Sequence, residues 1–263
     1  MKDLKVTIVQ SELHWENIPK NLDMFAQKIK AINEPTDIIL LPEMFSTGFT
    51  MQPEKFAEKM DGSAVTWMKE IAKRANCVVT GSLVIKENGN YHNRLIWMRA
   101  EGSFEFYDKR HLFRYGNEDK HYSAGNKKII VELNGWKICP LVCYDLRFPI
   151  WSRNRFKSGV WDYDILIYVA NWPERRNHPW KTLLMARSME NQSYVIGLNR
   201  VGNDGNEVYH SGDSAIINFK GEAISKTKAK EESVETVTIS YNDLTEFRKS
   251  FPVGLDTDQF DLR

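Results

Sequence analysis

Cys143 is the residue whose type and position most strongly indicate covalent chemistry. It follows the apolar segment 138–142 and begins the polar stretch Cys-Tyr-Asp-Leu-Arg. The ends of buried strands are where α/β folds place functional groups. A free thiol, with a pKa of about 8.5, is only a few per cent ionised at neutral pH, so a nucleophilic Cys143 needs a nearby base or positive charge. Cys77 and Cys139 lie within apolar segments and are interpreted as structural, an alternative that also stays open for Cys143.

A carboxylate and an ammonium group also stand where strands are expected to end. Glu43 comes after Leu-Leu-Pro, and Lys109 opens the long polar stretch 108–125. Burial disfavours a charged carboxylate and can raise its pKa from about 4.3 toward about 6–7, the range that suits a general base. Glu43 is therefore the predicted base, and Lys109 is the predicted positive charge. Taken singly, each residue could instead be a solvated charge at the surface.

The elements that must position these side chains indicate one α/β domain covering residues 1–263. Apolar periodicity and turn signals such as Asn134-Gly135 define them. The predicted strands are 4–10, 37–41, 77–85, 94–99, 128–133, 136–142, 164–170, 194–199, 214–218 and 235–240. The predicted helices are 17–32, 63–74, one from about Trp151, 179–191 and a short one after 240. Segment 108–125 is a long loop of the kind that is usually functional.

The composition argues against several classes of function. Lys plus Arg number 36 and Asp plus Glu number 35, and no basic run carries interleaved aromatics, so neither a nucleic-acid partner nor a membrane-surface role is indicated. No segment approaches the roughly 18 consecutive apolar residues of a membrane span, and no signal peptide precedes the first strand. Three cysteines argue against a disulfide framework and for a reducing, cytoplasmic location. The predicted ligand is a small molecule.

The order and spacing of three motifs resemble the nitrilase superfamily of carbon–nitrogen hydrolases. They are Leu41-Pro42-Glu43, residues 107–113 (Tyr-Asp-Lys-Arg-His-Leu-Phe) and residues 143–149 (Cys-Tyr-Asp-Leu-Arg-Phe-Pro). The resemblance extends over nearly the whole chain and includes the Asn-Trp-Pro segment 171–173. The Cys-Tyr-Asp-x-Arg-Phe-Pro form and Asn-Trp-Pro are similar to the ω-amidase branch, whereas true nitrilases typically carry Cys-Trp-Glu at the nucleophile. Nitrile hydrolysis is therefore not the expected chemistry.

The resemblance implies an αββα sandwich of two mixed β-sheets flanked by helices, a homodimer, and a catalytic set of Glu43, Lys109 and Cys143 without metal or cofactor. Glu43 would take the thiol proton, and Lys109 with the backbone N–H of Tyr144 would stabilise the oxyanion. Glu118 aligns with a further glutamate that supports the lysine and orients the substrate. A shift of one residue would put Asp119 in its place. The six histidines show no paired spacing for zinc, so no metal is predicted.

An ω-amidase hydrolyses the terminal amide of 2-oxoglutaramate or 2-oxosuccinamate, so its pocket must hold a carboxylate. A planar guanidinium fork suits that group, and the candidates near the motifs are Arg147, Arg175 and Arg176. Tyr144 and Trp172 are the expected aromatic walls. The predicted substrate-binding residues are therefore Tyr144, Arg147, Asn171 and Trp172.

Three other interpretations stay open. The same catalytic set would serve an N-carbamoyl-amino-acid hydrolase or another small-amide hydrolase, because only pocket residues separate these activities. A catalytically silent binding subunit could keep the fold, and its Cys143 would be no more reactive than Cys77. A cysteine protease-like enzyme with His111 or His178 as its base is the third.

Overall fold

Two β-sheets packed face to face, with helices on their outer sides, form the architecture of residues 2–260, the part of the chain that the computed structural model describes. The strands are β1 (Leu4–Gln10), β2 (Ile38–Leu40), β3 (Val78–Glu87), β4 (Asn90–Met98), β5 (Phe104–Asp108), β6 (Val131–Leu133), β7 (Trp136–Val142), β8 (Phe156–Lys157), β9 (Val160–Trp161), β10 (Ile165–Ala170), β11 (Tyr194–Asn199), β12 (Val201–Asn203), β13 (Tyr209–Ser211), β14 (Ala215–Ile217) and β15 (Ser233–Ile239). The helices are α1 (Ile18–Lys30), α2 (Pro53–Phe56), α3 (Ser63–Ala75), α4 (Glu118–His121), α5 (Pro149–Ser152), α6 (Asn177–Glu190) and α7 (Tyr241–Ser250). Within residues 2–260, no helix is long and apolar enough to cross a bilayer.

The first sheet has the strand order β15–β1–β2–β3–β4–β5. Strands β1, β2 and β3 are parallel, and the outer pairs are antiparallel. In β1, Leu4, Val6 and Ile8 pack in the core shared with the second sheet, whereas Val9 packs in the core with residues of α1 and α3. Since successive strand residues point to opposite faces, a continuous apolar strand fills both cores.

The second sheet has the order β14–β11–β10–β7–β6, with β7, β10 and β11 parallel. Every residue of the central strand β10 is buried, because the first sheet covers one face and helices cover the other. The carboxyl ends of parallel strands meet at one edge of a sheet, where α/β folds bind ligands. Strand β7 therefore brings Cys143 to the same edge to which β10 brings Asn171.

The predicted αββα sandwich of two mixed sheets is confirmed. One predicted element is wrong: the helix expected from about Trp151 is the single turn α5, followed by the hairpin β8–β9. The side chain of Asn154 donates to the backbone carbonyls of Tyr163 (2.8 Å) and Asn191 (3.0 Å), which turns the chain out of the helix. Ser158 and Gly159 have φ angles of 50° and 80°, the positive values that a two-residue hairpin turn requires.

Replacing Gly197 with Ala should destabilise the fold where α6 packs on β11. A Cβ at Gly197 would lie 2.4 Å from Cδ1 of Leu184 and 3.0 Å from Cζ2 of Trp180. Overpacking of this kind costs about 1–3 kcal/mol of unfolding free energy, measurable by urea denaturation. Thr66→Ala, on the exposed face of α3, is the control and should change stability by at most about 0.5 kcal/mol. Wild-type stability of Gly197→Ala would contradict the close packing described here.

Candidate active site

The three predicted catalytic residues, with Glu118, come together where β2, β5 and β7 end. The Nζ atom of Lys109 lies 2.8 Å from Oε1 of Glu43 and 3.1 Å and 2.9 Å from the two carboxylate oxygens of Glu118. The side chains of Lys109, Glu43 and Glu118 are all fully buried. Cys143 is within charge-interaction range of all three. Two carboxylates, an ammonium group and a thiol from distant parts of the chain therefore share one buried site.

Cys143 begins a turn of 3-10 helix, Cys143–Arg147, with a φ angle of 44°. Such a positive φ is uncommon for a residue other than glycine, and strained residues of this kind cluster at functional sites. Burial raises the pKa of the Cys143 thiol well above its usual range, and the charge of Glu43 adds to this effect, while the Lys109 ammonium opposes it. The resting thiol is thus protonated and lies beside a carboxylate that can accept its proton.

Lys109 is held as an ammonium ion. Burial by itself lowers its pKa, but the carboxylates of Glu118 and Glu43 outweigh that effect and raise the pKa above the ordinary value. Burial, together with the charge of Glu43, raises the pKa of Glu118 even though Lys109 lowers it. The backbone N–H of Phe113 donates to Oε2 of Glu118 (2.6 Å). Asp119 instead pairs with the exposed Arg114 (3.0 Å), so Glu118 is the acid that faces the lysine.

Asn93 is a buried site residue that sequence reasoning missed. Its Nδ2 donates to Oε1 of Glu43 (2.8 Å) and to Oε1 of Glu118 (3.1 Å), and its backbone carbonyl accepts from the N–H of Lys109 (3.0 Å). One asparagine therefore fixes both carboxylates and the backbone of the lysine between them. The only signal in the sequence was a polar residue inside a predicted hairpin, which carries no indication of its partners.

Asp145 connects the turn Cys143–Arg147 to the loop that begins at Lys109. Its carboxylate accepts from the N–H of Val142 (3.1 Å), the hydroxyl of Tyr107 (2.8 Å) and the N–H of His111 (3.0 Å). The Nδ1 atom of His111 lies 2.7 Å from the same carboxylate. These bonds tie the segment that carries Lys109 to the turn that carries Cys143.

The two histidines considered as bases lie in other settings. The ring of His111 stacks on Phe148 at 3.7 Å between centroids, with Nδ1 directed to Asp145. His178 is exposed on α6. Glu43, and neither histidine, is the basic group that interacts with Cys143, so the protease-like interpretation has no support in the geometry.

Asn171 and Trp172 also contribute to the walls of the site. The N–H of Asn171 donates to Oε2 of Glu43 (2.7 Å), and its Nδ2 donates to the backbone carbonyl of Glu43 (2.6 Å). Trp172 is fixed by its N–H, which donates to Oδ1 of Asn199 (2.7 Å), and by Nε1, which donates to the backbone carbonyl of Arg176 (2.6 Å). Asn171 thus orients the carboxylate next to the thiol.

A cavity of about 190 Å³ opens onto Cys143. The four predicted substrate-binding residues all line it, as do two further arginines; together these are Tyr144, Arg147, Asn171, Trp172, Arg175 and Arg176. Pockets for drug-sized ligands measure roughly 300–1,000 Å³, so this cavity suits a smaller molecule. Within residues 2–260, no group of three or more His, Cys, Asp or Glu side chains could hold a metal ion.

Comparison with known proteins supports the family that the motifs indicate. The sequence model described as carbon–nitrogen hydrolase matches residues 5–249. The chain belongs to the carbon–nitrogen hydrolase family. Members are hydrolases of carbon–nitrogen bonds other than peptide bonds, and the resemblance to the nitrilase superfamily is confirmed.

Two curated relatives and one solved structure are similar over their full or nearly full lengths. The chain is 44% identical to omega-amidase YafV of Escherichia coli K12, with 100% of both sequences covered. It is 30% identical to a 2-oxoglutaramate amidase of Bacillus subtilis, with 94% of this chain and 95% of the relative covered. A CN-hydrolase superfamily protein from Xanthomonas campestris, solved with an arsenic adduct in its active site, has a TM-score of 0.97 at 43% identity, with complete coverage of both chains.

Replacing Asn93 with Ala should shift the pH dependence of amide hydrolysis. Burial raises the pKa of Glu118, and hydrogen bonds to a carboxylate favour its charged form, so loss of the Asn93 N–H donor should raise that pKa further. A charge-assisted bond contributes about 1.5–3 kcal/mol and one pKa unit is about 1.4 kcal/mol. The acid limb of the pH profile of kcat/KM should therefore move about one unit to higher pH. The assay measures ammonia release.

The control for this experiment is Asn154→Ala, which removes another buried asparagine, whose side chain bonds to the backbone carbonyls of Tyr163 and Asn191. It should lower stability and leave the acid limb in its wild-type position. An unshifted limb in Asn93→Ala would show that Asn93 serves only the packing of β4.

Proposed function

We propose that this protein is an ω-amidase, which hydrolyses the terminal amide of a small 2-oxo acid to the 2-oxo dicarboxylate and ammonia. The expected substrates are 2-oxoglutaramate and 2-oxosuccinamate. The observation that carries the proposal is a buried thiol, carboxylate and ammonium at the end of a small cavity lined by arginines. The names of the relatives, omega-amidase and 2-oxoglutaramate amidase, support the same substrate class.

The acylation step uses the three groups in sequence. Glu43 accepts the proton of the Cys143 thiol, and the sulfur attacks the amide carbon to form a tetrahedral intermediate. The Lys109 ammonium and the backbone N–H of Tyr144 stabilise its oxyanion, and donors aimed in this way contribute about 3 kcal/mol each. Glu43 then returns its proton to the nitrogen, the carbon–nitrogen bond breaks and ammonia leaves. A thioester on Cys143 remains.

The deacylation step repeats the same chemistry with water. Glu43 removes a proton from the water that attacks the thioester carbon, and the carbon–sulfur bond of the second tetrahedral intermediate breaks. The sulfur recovers its proton from Glu43, which restores the resting enzyme. Glu118 keeps Lys109 positioned and charged in both steps, through its two contacts of 3.1 Å and 2.9 Å.

The proposed substrate-binding residues are Tyr144, Arg147, Asn171 and Trp172. Arg147 lies four residues after the nucleophile, and its guanidinium carbon is 5.0 Å from the ring centroid of Trp172. It supplies a charge for the substrate carboxylate, while Tyr144 and Trp172 border its carbon chain. Asn171 holds Glu43 in place and faces the same cavity.

The two remaining alternatives, an N-carbamoyl-amino-acid hydrolase and a catalytically silent subunit, place different requirements on the site. An N-carbamoyl-amino-acid hydrolase would have to accommodate an amino-acid side chain in a cavity of about 190 Å³. A catalytically silent subunit would have no need of three buried charged side chains, which are expensive to bury unless they serve a purpose such as catalysis.

The deciding experiment combines kinetics with mass spectrometry. We expect kcat/KM for 2-oxoglutaramate to exceed that for N-carbamoyl amino acids and simple nitriles by at least about 100-fold. Intact mass measurement during turnover should detect an acyl adduct on Cys143, which Cys143→Ala lacks and which Cys77→Ala, the control for another buried thiol, retains. Negligible activity on 2-oxoglutaramate would refute the proposed substrate, and an adduct that persists in Cys143→Ala would refute the nucleophile.

We also propose that the protein is cytoplasmic, that residues 1–263 form one domain, and that two copies associate through α5 and α6. The three cysteines, all unpaired, support a reducing compartment. Met185 and Met189, four residues apart on α6, are 39% and 51% exposed, and Ile150 of α5 is 58% exposed. Arg153 donates to the backbone carbonyl of Glu190 (2.6 Å), which holds the ends of α5 and α6 together. These side chains offer an apolar face that a second copy would bury.

Light scattering after size exclusion tests the homodimer. The wild-type protein should have twice the chain mass of 30.6 kDa. Met185→Asp combined with Met189→Asp should give the mass of one chain, because two charges would then be buried in the contact. Leu255→Asp, at another exposed apolar residue (73% exposed), is the control and should stay dimeric. A wild-type protein with the mass of one chain would contradict the proposal.

A further inference from the structure

We propose that Arg176 is a second cationic group which, together with Arg147, recognises the carboxylate end of the substrate and so determines the preference for carboxylate-bearing amides. This inference rests on the proposed amidase function and extends it to the group that selects the substrate. Both arginines line the cavity that opens onto Cys143. They come from different elements, the turn Cys143–Arg147 and the turn Glu174–Arg176.

Neither arginine forms an ion pair with an acid of residues 2–260. Arginines with structural roles elsewhere in the fold do so: Arg94 pairs with Asp108 at 2.7 Å, and Arg248 pairs with Asp164 at 2.6 Å. Asp204 is the acid among the residues that line the cavity, and its Oδ1 already accepts from the N–H groups of Asn206 (2.8 Å) and Val208 (3.0 Å). Two guanidinium groups at one cavity thus lack a protein counterion.

Arg176 is held in place before any ligand binds. Its guanidinium carbon lies 5.1 Å from the ring centroid of Phe113 and 5.6 Å from that of Tyr115. Its backbone carbonyl accepts from Nε1 of Trp172 (2.6 Å). The turn that carries it is tied down by an ion pair between Glu174 and Lys230 (2.8 Å). Stacked, pre-positioned guanidinium groups lose little side-chain entropy when they bind a carboxylate.

The charges around Arg176 favour an anionic ligand. Burial, together with the positive charges of Arg175 and Arg147, lowers the pKa of Arg176. His210, which also lines the cavity, adds no charge at neutral pH, because burial and the charge of Arg200 lower its pKa to about 4. A carboxylate placed between Arg147 and Arg176 relieves the repulsion between them and accepts hydrogen bonds from both.

Arg175 is the less suitable neighbour. Its side chain is exposed, whereas that of Arg176 is partly buried. Both guanidinium carbons approach the ring of Tyr115, which is 75% exposed, but that of Arg176 also lies 5.1 Å from the ring centroid of the partly buried Phe113. An exposed charge at the rim is screened by water and salt and contributes little to recognition. The sequence alone does not distinguish Arg175 from Arg176, and the structure favours Arg176 as the partner of the substrate carboxylate.

The test measures binding and turnover of 2-oxoglutaramate and of butanamide, a neutral amide that lacks both the carboxylate and the 2-oxo group. In a Cys143→Ala background, Arg176→Gln should raise the calorimetric Kd for 2-oxoglutaramate about 100-fold, the loss expected for charge-assisted hydrogen bonds. In the catalytically intact chain, Arg176→Gln should raise KM for 2-oxoglutaramate with little change in kcat. Its kcat/KM for butanamide should stay within about threefold of wild type. Arg176→Lys should lose less affinity, because it keeps the charge without the planar fork.

The control is Arg99→Gln, which removes an arginine paired with Glu105 at 2.8 Å on the first sheet. It should change neither the Kd for 2-oxoglutaramate nor kcat/KM for either amide. Wild-type Kd for 2-oxoglutaramate in Arg176→Gln would overturn the role of Arg176 while leaving the amidase function intact. Equal losses for both amides would also overturn it, because they would indicate a structural defect. A parent protein that hydrolyses butanamide and does not bind 2-oxoglutaramate would instead refute the proposed function.

Discussion

The structure depends on a buried ammonium ion placed between two buried carboxylates. An isolated charge in a protein interior costs several kcal/mol, and such a cost is offset only where opposite charges and hydrogen bonds are well placed. Lys109 meets Glu43 and Glu118 at 2.8–3.1 Å, and the carboxylates receive further N–H groups from Asn93 and Asn171. These contacts require that β4 and the ends of β2, β5 and β10 keep their relative positions, so the site and the sandwich constrain each other.

The same arrangement explains how a thiol with a raised pKa can act as a nucleophile. Thiolate formation alone would add a second negative charge next to Glu43 in a buried site, which is why the resting Cys143 keeps its proton. When the proton moves to Glu43, the negative charge moves from oxygen to sulfur and the net charge of the site is unchanged. The Lys109 ammonium, held charged by Glu118, interacts with either anion. The reaction therefore needs only a proton transfer over a short distance and no charge transfer from solvent.

Local patterns in the sequence predicted one α/β domain and drew attention to the main site residues, and the resemblance of the three motifs to a known superfamily implied the sandwich. Strands such as β10 are short apolar runs bounded by polar residues, and Glu43 and Cys143 each follow such a run, whereas Lys109 follows the alternating strand β5. The role of Asn93 and the network around Asp145 left no such pattern, because the decisive partners are distant in the chain. The two carboxylates that Asn93 binds lie 25 and 50 residues away from it, and Tyr107 and His111 lie 38 and 34 residues away from Asp145. The hairpin after α5 was missed because the buried bonds of Asn154 override the helical pattern that Trp151 suggested.

The contrast between Lys109 and the cavity arginines illustrates how neighbours decide what a positive charge can do. Lys109 is buried and already compensated by two carboxylates, so a substrate carboxylate would bring a third negative charge and gain little from it. Arg147 and Arg176 rest against aromatic rings, which support a guanidinium without neutralising it. Their positive charges therefore remain available to attract an anionic ligand. The cavity thus has an amide-cleaving end whose charges are internally balanced and an opposing set of cations whose charge is not, and a short molecule with an amide at one end and a carboxylate at the other matches both.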